Sequence, residues 1–177
     1  MRLRAVRLPT AVQEAAGLIE GERVLAVSAV DGGWTFATTH ALHVVTTLAD
    51  GGAPDTARRV AWTDVRSATT VPSERLLDVR LVDGARWSVP VGATPRRLPE
   101  TVRERVQNSV VHARFVEVRR NKGVHVVARR TPEEHVSMQV AVDDGIDASG
   151  EDVLARVEQV TREMTAELRL DERRRPS

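Results

Sequence analysis

The sequence predicts an α+β protein made mainly of antiparallel strands: a small barrel closed by one helix, then a three-stranded antiparallel sheet backed by a C-terminal helix. Three observations predict this class. Short alternating apolar and polar runs, separated by turn residues, recur over 23–91. One stretch of helical period follows at 98–113, and a second alternating set at 114–142 leads into another amphipathic helix. Closely spaced strands of this kind are typical of an antiparallel barrel or sandwich.

The first part of the chain is predicted to hold an N-terminal arm and short helix over 1–20 and a barrel with its closing helix over 21–113. The predicted barrel strands are 23–30, 34–39, 41–47, 58–62, 66–71, 75–82 and 85–91. Asp-Gly turns at 31–33 and 83–84 predict two hairpins. In the closing helix, Leu98, Val102, Val106 and Val110 recur at a spacing of four. Pro99 lies in the first turn, where proline is tolerated.

The second part is predicted to be a β-β-β-α extension over 114–170 and a disordered tail over 171–177. Its strands are 114–119, 124–130 and 136–142, with Gly123 expected in a left-handed conformation at the first turn. Alternation puts one apolar set on a single face of this sheet: Val116, Val118, Val124, Val126, Ala128, Val136, Met138, Val140 and Val142. The last helix carries an apolar stripe that packs on this face or, alternatively, forms a partner or homodimer seam.

Composition excludes several classes of function. The formal net charge is +1, so bulk electrostatics do not favour nucleic acid or an anionic membrane. The chain has no Cys, which excludes disulfides, thiolate nucleophiles and Cys-based zinc sites. The first ten residues lack the apolar core of a signal peptide, and no window resembles a membrane helix. We therefore expect a cytoplasmic protein.

Trp62 lies at the corner of "ARRVAWTDVRSATT" (57–70), on the same face as Val60 by alternation. Two roles are open to it: a contact with a ligand, or an apolar plug at the end of the barrel. Because the face is apolar and an indole N–H can reach a backbone carbonyl, we favour the plug. The same interpretation applies to Trp34 and Trp87.

The stretches "WTFATTHALHVVT", "RRVAWTDVRSATT" and "LVDGARWSVPV" resemble the bacterial members of the pleckstrin-homology-like (PH-like) family. They match its Thr-containing strand, its corner of an aromatic residue followed by Asp and Val, and its Asp-Gly hairpin. The resemblance covers roughly residues 20–112 and leaves the C-terminal extension outside. It implies a scaffold that binds peptides, proteins or membranes and is not usually a catalyst.

The basic clusters form the one candidate binding site in the sequence. Its residues lie at the two ends of one predicted hairpin: Arg119, Arg120, Lys122, Arg129 and Arg130. They are either a solvated face offset by acidic residues or a patch for nucleic acid or an anionic lipid. A nucleic-acid site would gain from stacking aromatic side chains, and only Phe115 is near.

No catalytic or metal motif stands beside these clusters. His40 and His43 are predicted on opposite faces of a strand, and the other histidines lack helical HxxxH spacing. The acidic run 142–152 lacks EF-hand spacing and is interpreted as a strand-to-helix loop. We therefore expect no cofactor or metal and a non-enzymatic interaction module. Its partner, a protein or peptide, would dock beside an exposed sheet edge; the alternative is weak binding of nucleic acid or an anionic membrane surface through the arginine-rich hairpin.

Overall fold

The computed structural model describes residues 7–47, 54–93 and 97–174, with side chains up to Arg169. Over these ranges the protein is α+β with mainly antiparallel sheets, as the sequence predicts. It divides into two compact units, Met1–Ser109 and Val110–Ser177. The first six residues of the predicted N-terminal arm and the last three of the predicted tail lie outside the described residues.

The first unit contains two antiparallel sheets and two helices. Its elements are α1 (Thr10–Ala15), β1 (Val24–Val30), β2 (Gly33–Thr38), β3 (Ala41–Thr47), β4 (Pro54–Ala61), a 3-10 turn (Trp62–Asp64), β5 (Val65–Val71), β6 (Leu76–Leu81), β7 (Arg86–Pro90) and α2 (Leu98–Ser109). One sheet has the order β1-β2-β3-β4 and the other β5-β6-β7.

In the described part of the chain the predicted barrel strands form two separate sheets, and closure of these sheets into a barrel is not shown. The 3-10 turn at Trp62–Asp64 interrupts the chain between β4 and β5, so these strands do not form a ladder. Where the end of β7 passes β1 and β2, two separate hydrogen bonds connect the sheets in place of a ladder. Gly92 N donates to Ser28 Oγ at 2.8 Å, and Thr35 Oγ1 donates to Pro90 O at 2.7 Å.

Gly92 lies where the chain leaving β7 passes β1. A Cβ atom at this position would lie 2.2 Å from the carbonyl oxygen of Ala29, a distance that no side chain tolerates. Glycine is therefore required here by the close approach of two backbones.

Two apolar clusters hold the first unit together. The larger one lies between the two sheets and against α2, and includes Leu42, Trp62, Val65, Leu77, Trp87, Leu98 and Val102. The smaller one lies on the opposite face of the four-stranded sheet, under α1, and includes Leu8, Val12, Phe36 and Val45. The four-stranded sheet is therefore covered on both faces.

The closing helix is shorter than predicted. It ends at Ser109, whose hydroxyl donates to Val106 O at 2.7 Å, and Val110 is the first residue of a strand. Residues Leu98, Val102 and Val106 are buried as the spacing predicts. The pair Val110–Val111 follows the helical spacing, yet two consecutive β-branched residues favour the extended conformation that they adopt.

The second unit is a sheet of order β10-β9-β8 with a helix on one face. Its elements are β8 (Val110–Arg119), β9 (Lys122–Arg130), β10 (Val136–Val142) and α3 (Glu151–Arg174). α3 includes the first four residues, 171–174, of the tail that was predicted to be disordered. The shared core is Val116, Val124, Val126, Ala128, Val160 and Met164, with Val118, Val136, Met138, Val153, Val157 and Leu168 packed against it. The predicted face of the sheet is thus the one that α3 covers, although Val140 and Val142 on that face remain exposed.

The acidic run 142–152 forms the predicted loop between a strand and a helix. Asp143 Oδ1 lies 3.1 Å from His125 Nε2, and its Oδ2 accepts a hydrogen bond from Gly123 N at 3.0 Å. Asp147 Oδ1 accepts from Ser149 N and Oγ, and these bonds lower the pKa of Asp147. The carboxylates of Asp143 and Asp147 therefore have structural roles in this loop.

Candidate functional site

The predicted basic residues fall into two groups at opposite ends of the β8–β9 hairpin. Arg119, Arg120 and Lys122 are exposed around the turn, where Asn121 takes the positive φ of 58°. Lys122 Nζ donates to Asp144 O at 3.0 Å, and Glu117 Oε1 accepts from Asn121 N at 2.9 Å. The turn is thus basic at its tip, with acidic residues beside it.

Arg129 and Arg130 lie at the far end of β9. Arg129 is only 4% exposed, and Arg130 Nη1 forms an ion pair with Glu134 Oε2 at 2.9 Å. Lys122 and Arg129 are seven positions apart along the extended strand, a span of about 23 Å. The structure therefore does not bring the five predicted residues together into one basic surface.

Trp62 is a buried structural residue, as the sequence analysis favoured. It is 4% exposed, and its Nε1–H donates to Thr38 O at 3.0 Å. Trp87 is buried in the same cluster, with the guanidinium of Arg58 4.3 Å from its ring centroid. Trp34 lies on the opposite face of the sheet, against the smaller cluster. The three indoles do not form a common exposed surface.

A buried polar network lies where the chain turns from β2 into β3. The side chains of His43 and Glu22 are 1% and 0% exposed, and His43 Nε2 lies 3.1 Å from Glu22 Oε1. Thr38 Oγ1 donates to the same carboxylate oxygen, and Ile19 N donates to the other at 3.2 Å. The ring of His43 also stacks on Phe36 at a centroid distance of 4.8 Å.

The charge state of this network follows from its surroundings. Burial lowers the pKa of His43 and outweighs the opposite effect of Glu22. Burial alone would raise the pKa of Glu22, but the hydrogen bonds from Thr38, His43 and Ile19 outweigh it and lower that pKa. At neutral pH the network therefore holds a carboxylate and a neutral imidazole. Because a carboxylate only accepts hydrogen bonds, Nε2 must carry the imidazole proton.

A carboxylate paired with an imidazole is also the arrangement that catalytic acid–base sites use. Here both side chains are closed to solvent, so a substrate has no access to the imidazole. Sequence reasoning considered His43 only as a metal ligand and missed this network. The sequence did contain a signal for it. By alternation, His43 lies on the same face of an apolar strand as Ala41 and Val45, and a buried histidine on such a face needs a hydrogen-bond partner.

Within 7–47, 54–93 and 97–174, no three His, Asp or Glu side chains lie close enough together to hold a metal ion. None of the helices in these ranges combines the length and the apolar character that crossing a membrane requires.

Sheet edges are further candidate surfaces for a partner, because an edge strand presents backbone donors and acceptors to a neighbouring chain. Most edges here carry protective features. β1 and β8 contain bulges, β4 carries the exposed Arg58 and Arg59, and β7 begins with Arg86 and ends with Pro90. Two edges carry fewer of these features: β5 beyond its bulge, and β10, which is regularly paired with β9 and uncharged.

The open part of β5 runs from Ser67 to Val71 and pairs with β6 on one side only. Its sequence, SATTV, has no charge, and Ser67 and Thr69 are exposed. α2 packs beside this strand, with Val102 of the helix and Val65 and Ala68 of the strand in or against one apolar cluster. The strand edge and the helix thus give a candidate docking surface for an extended peptide.

No family model, no curated protein and no solved structure matches the chain. The candidate surfaces therefore rest on the residues and contacts of this chain alone.

Proposed function

We propose that the protein is a non-enzymatic, cytoplasmic interaction module of the PH-like fold, and that it binds an extended segment of a partner protein along β5. The observation that carries this proposal is the edge of β5 over Ser67–Val71, which is uncharged, regularly paired on one side and bordered by α2. An extended peptide added to such an edge gains a ladder of main-chain hydrogen bonds.

The arrangement of elements in the first unit supports the PH-like assignment. Sheets of four and three antiparallel strands face each other across one core, and a single helix follows the last strand and packs on that core. One hydrogen bond from Gly92 to Ser28 and one from Thr35 to Pro90 join the sheets at one corner. The sequence resemblance over roughly 20–112 covers this same unit.

The chemistry of the β5 edge defines the class of peptide. Ser67 and Thr69 offer hydroxyl groups, and no charged side chain lies between Ser67 and Val71. Recognition therefore depends mainly on the peptide backbone, with its side chains placed alternately against α2 and toward solvent. We expect affinity for uncharged, β-branched segments and little dependence on salt.

A non-enzymatic role is supported by the environment of the Glu22–His43 pair. It has the composition of an acid–base site, but its side chains are withdrawn from solvent, and the carboxylate of Glu22 accepts hydrogen bonds from Thr38 and Ile19 as well as from His43. The pair therefore stabilises the turn between β2 and β3.

The second hypothesis, binding of nucleic acid or an anionic membrane surface through the arginine-rich hairpin, has less support. Only Arg119, Arg120 and Lys122 are exposed together, beside the acidic loop that contains Asp144. It predicts salt-sensitive binding that the pair Arg119→Glu and Arg120→Glu abolishes. Binding of a nucleic acid that ignores both salt and these substitutions would exclude it.

The test of the main proposal is selection of a random displayed peptide library on the full chain, followed by hydrogen–deuterium exchange with the enriched peptide bound. We expect slowed exchange of the backbone amides of Ser67–Val71. The substitution Thr69→Lys, which places a charge on the open edge, should raise the peptide Kd by about tenfold or more.

The matched control is Thr56→Lys, which places the same charge on the exposed edge strand β4. It should leave the Kd unchanged. Protection confined to another strand, an equal effect of both substitutions, or no enriched peptide at all would contradict the assignment of β5.

A further inference from the structure

β10 is the least protected edge strand of the molecule's described part. It pairs with β9 in seven consecutive positions, Val136–Val142 with Arg130–Val124, without a bulge. Its sequence, VSMQVAV, contains no charged residue and no proline. Natural sheets usually protect such edges with charges, prolines or bulges, because a regular apolar edge pairs with other chains. β10 carries none of these features, so its backbone is suited to pairing with a further strand.

The apolar face of the sheet extends beyond the helix that covers it. Val136 and Met138 of β10 pack against the cluster under α3. Val140 and Val142 point to the same face but are 46% and 37% exposed. One half of β10 thus packs under the helix of its own chain, and the side chains of the other half are exposed to solvent.

This division makes the strand complementary to itself. In an antiparallel pair of two β10 strands with the two-fold axis at Gln139, Val140 lies opposite Met138 of the second copy, and Val142 lies opposite Val136. Each exposed half then lies beside the helix-covered half of the other chain. Opposed residues of antiparallel strands point to the same face, so the apolar residues of both copies remain together. No like charges meet within the seven positions.

Gln139, at the centre of this arrangement, provides an independent observation. Its side-chain Oε1 is buried and accepts no hydrogen bond from the residues that the structure describes. A buried acceptor without a donor costs about 1–3 kcal/mol. On the two-fold axis, the Gln139 amides of the two copies lie side by side, and a rotation of the side chain that brings Oε1 to the edge would let it accept from the Nε2 group of the other copy.

We propose that a second copy of this chain docks on β10, in an antiparallel pair with its two-fold axis at Gln139, and forms a continuous six-stranded sheet with both α3 helices on one face. Such an isologous contact closes on itself and forms a dimer. It uses a different strand from the peptide site on β5.

The test uses the absence of cysteine from the native chain. In Gln139→Cys, the two new residues lie directly opposite, with Cα atoms ~4.5–5.5 Å apart, within the range that a disulfide spans. The matched variant Ser137→Cys is on the same strand and the same face. Its two copies would lie ~13 Å apart along the strands, which is too far. Under mild oxidation we expect rapid cross-linking at position 139 and none at 137.

A second experiment measures the monomer–dimer equilibrium. Sedimentation velocity gives the dimer Kd of the unmodified chain and of the variants Val140→Lys and Leu154→Lys. Both residues are exposed, at 46% and 50%, so neither substitution disturbs a core. We expect a dimer whose Kd rises by about tenfold or more with Val140→Lys, because a charge on the edge opposes pairing, and is unchanged with Leu154→Lys. A monomer at all concentrations overturns the proposal. So does a dimer that survives Val140→Lys or cross-links as fast at 137 as at 139.

Discussion

His43 donates through Nε2 to Glu22 over 3.1 Å while its ring stacks on Phe36, with ring planes only 2° apart. The imidazole is thus held between an apolar ring and a carboxylate, on the face of the sheet that α1 covers. Because this environment excludes water, it disfavours the protonated imidazole and lowers the pKa of His43. We therefore expect the first unit to lose stability in acid.

The first prediction concerns pH. Because the folded-state pKa of His43 is lowered by burial, the unfolded chain takes up this proton first as the pH falls below about 6.5. The contribution of His43 to stability is therefore complete above that pH and is lost as the pH falls through the folded-state pKa. The lowered pKa of Glu22 acts in the same direction at more acidic pH. Urea unfolding at a series of pH values should show a slope of up to about 1.4 kcal/mol per pH unit below 6.5.

The variant His43→Gln should be less stable at pH 7 but lose that slope, because glutamine does not titrate. The control His135→Gln removes an exposed histidine and should keep the wild-type profile. An unchanged slope in His43→Gln would show that another group is responsible.

The second prediction concerns the indole of Trp62. Trp62→Phe keeps an aromatic ring in the core but removes the donor to Thr38 O. A buried carbonyl that loses its donor costs about 1–3 kcal/mol, and the free energy of unfolding in urea should fall by that amount. Trp34→Phe, at a partly exposed position, should cost less. Equal losses in the two variants would mean that the hydrogen bond contributes nothing specific.

The third prediction concerns Gly123 on β9. A Cβ atom there would lie 2.0 Å from Val116 O on the neighbouring strand. Gly123→Ala must separate the two strands and should cost about 1–3 kcal/mol, as overpacking does elsewhere. Gly150→Ala is the matched control, since the nearest atom to its Cβ is 3.9 Å away. Thermal unfolding followed by circular dichroism would compare them, and a Tm of Gly123→Ala equal to that of the control would refute the steric argument.

The fourth prediction separates the two sides of α3. Met164 is fully buried against the sheet, whereas Leu154 on the same helix is 50% exposed. Met164→Ala should lower the free energy of unfolding by about 2–5 kcal/mol, and Leu154→Ala by much less. Hydrogen exchange of the β8 and β9 amides would report the effect. If the two variants were equally destabilised, α3 would be packed through a different face.

Much of the fold was predictable because alternation and turn chemistry are local signals. The Asp-Gly turns at 31–33 and 83–84 join β1 to β2 and β6 to β7 as expected. Where two local signals compete, prediction fails: Val110 fits the helical spacing of α2 and yet begins β8. Gly123 was expected to supply a positive φ, but Asn121 takes it, and Gly123 is required by the proximity of Val116 O.

The candidate sites were less predictable, because they depend on contacts between distant residues. Sequence placed Arg129 in a basic patch, but only the folded chain shows that its side chain is buried. The Glu22–His43 pair joins residues 21 positions apart. The edges of β5 and β10 are defined by which strands pair and by where bulges occur. A local sequence pattern predicts neither property.

The positions of the tryptophans also allow fluorescence to follow one compact unit without the other. Trp34, Trp62 and Trp87 all belong to the first compact unit, and the second unit contains none. Intrinsic indole emission therefore reports the melting of residues before Val110 alone, whereas far-ultraviolet circular dichroism reports both halves. Two superimposable melting curves would identify a single cooperative transition, and two displaced curves would give the stability of each half separately, without a truncated chain or an added dye.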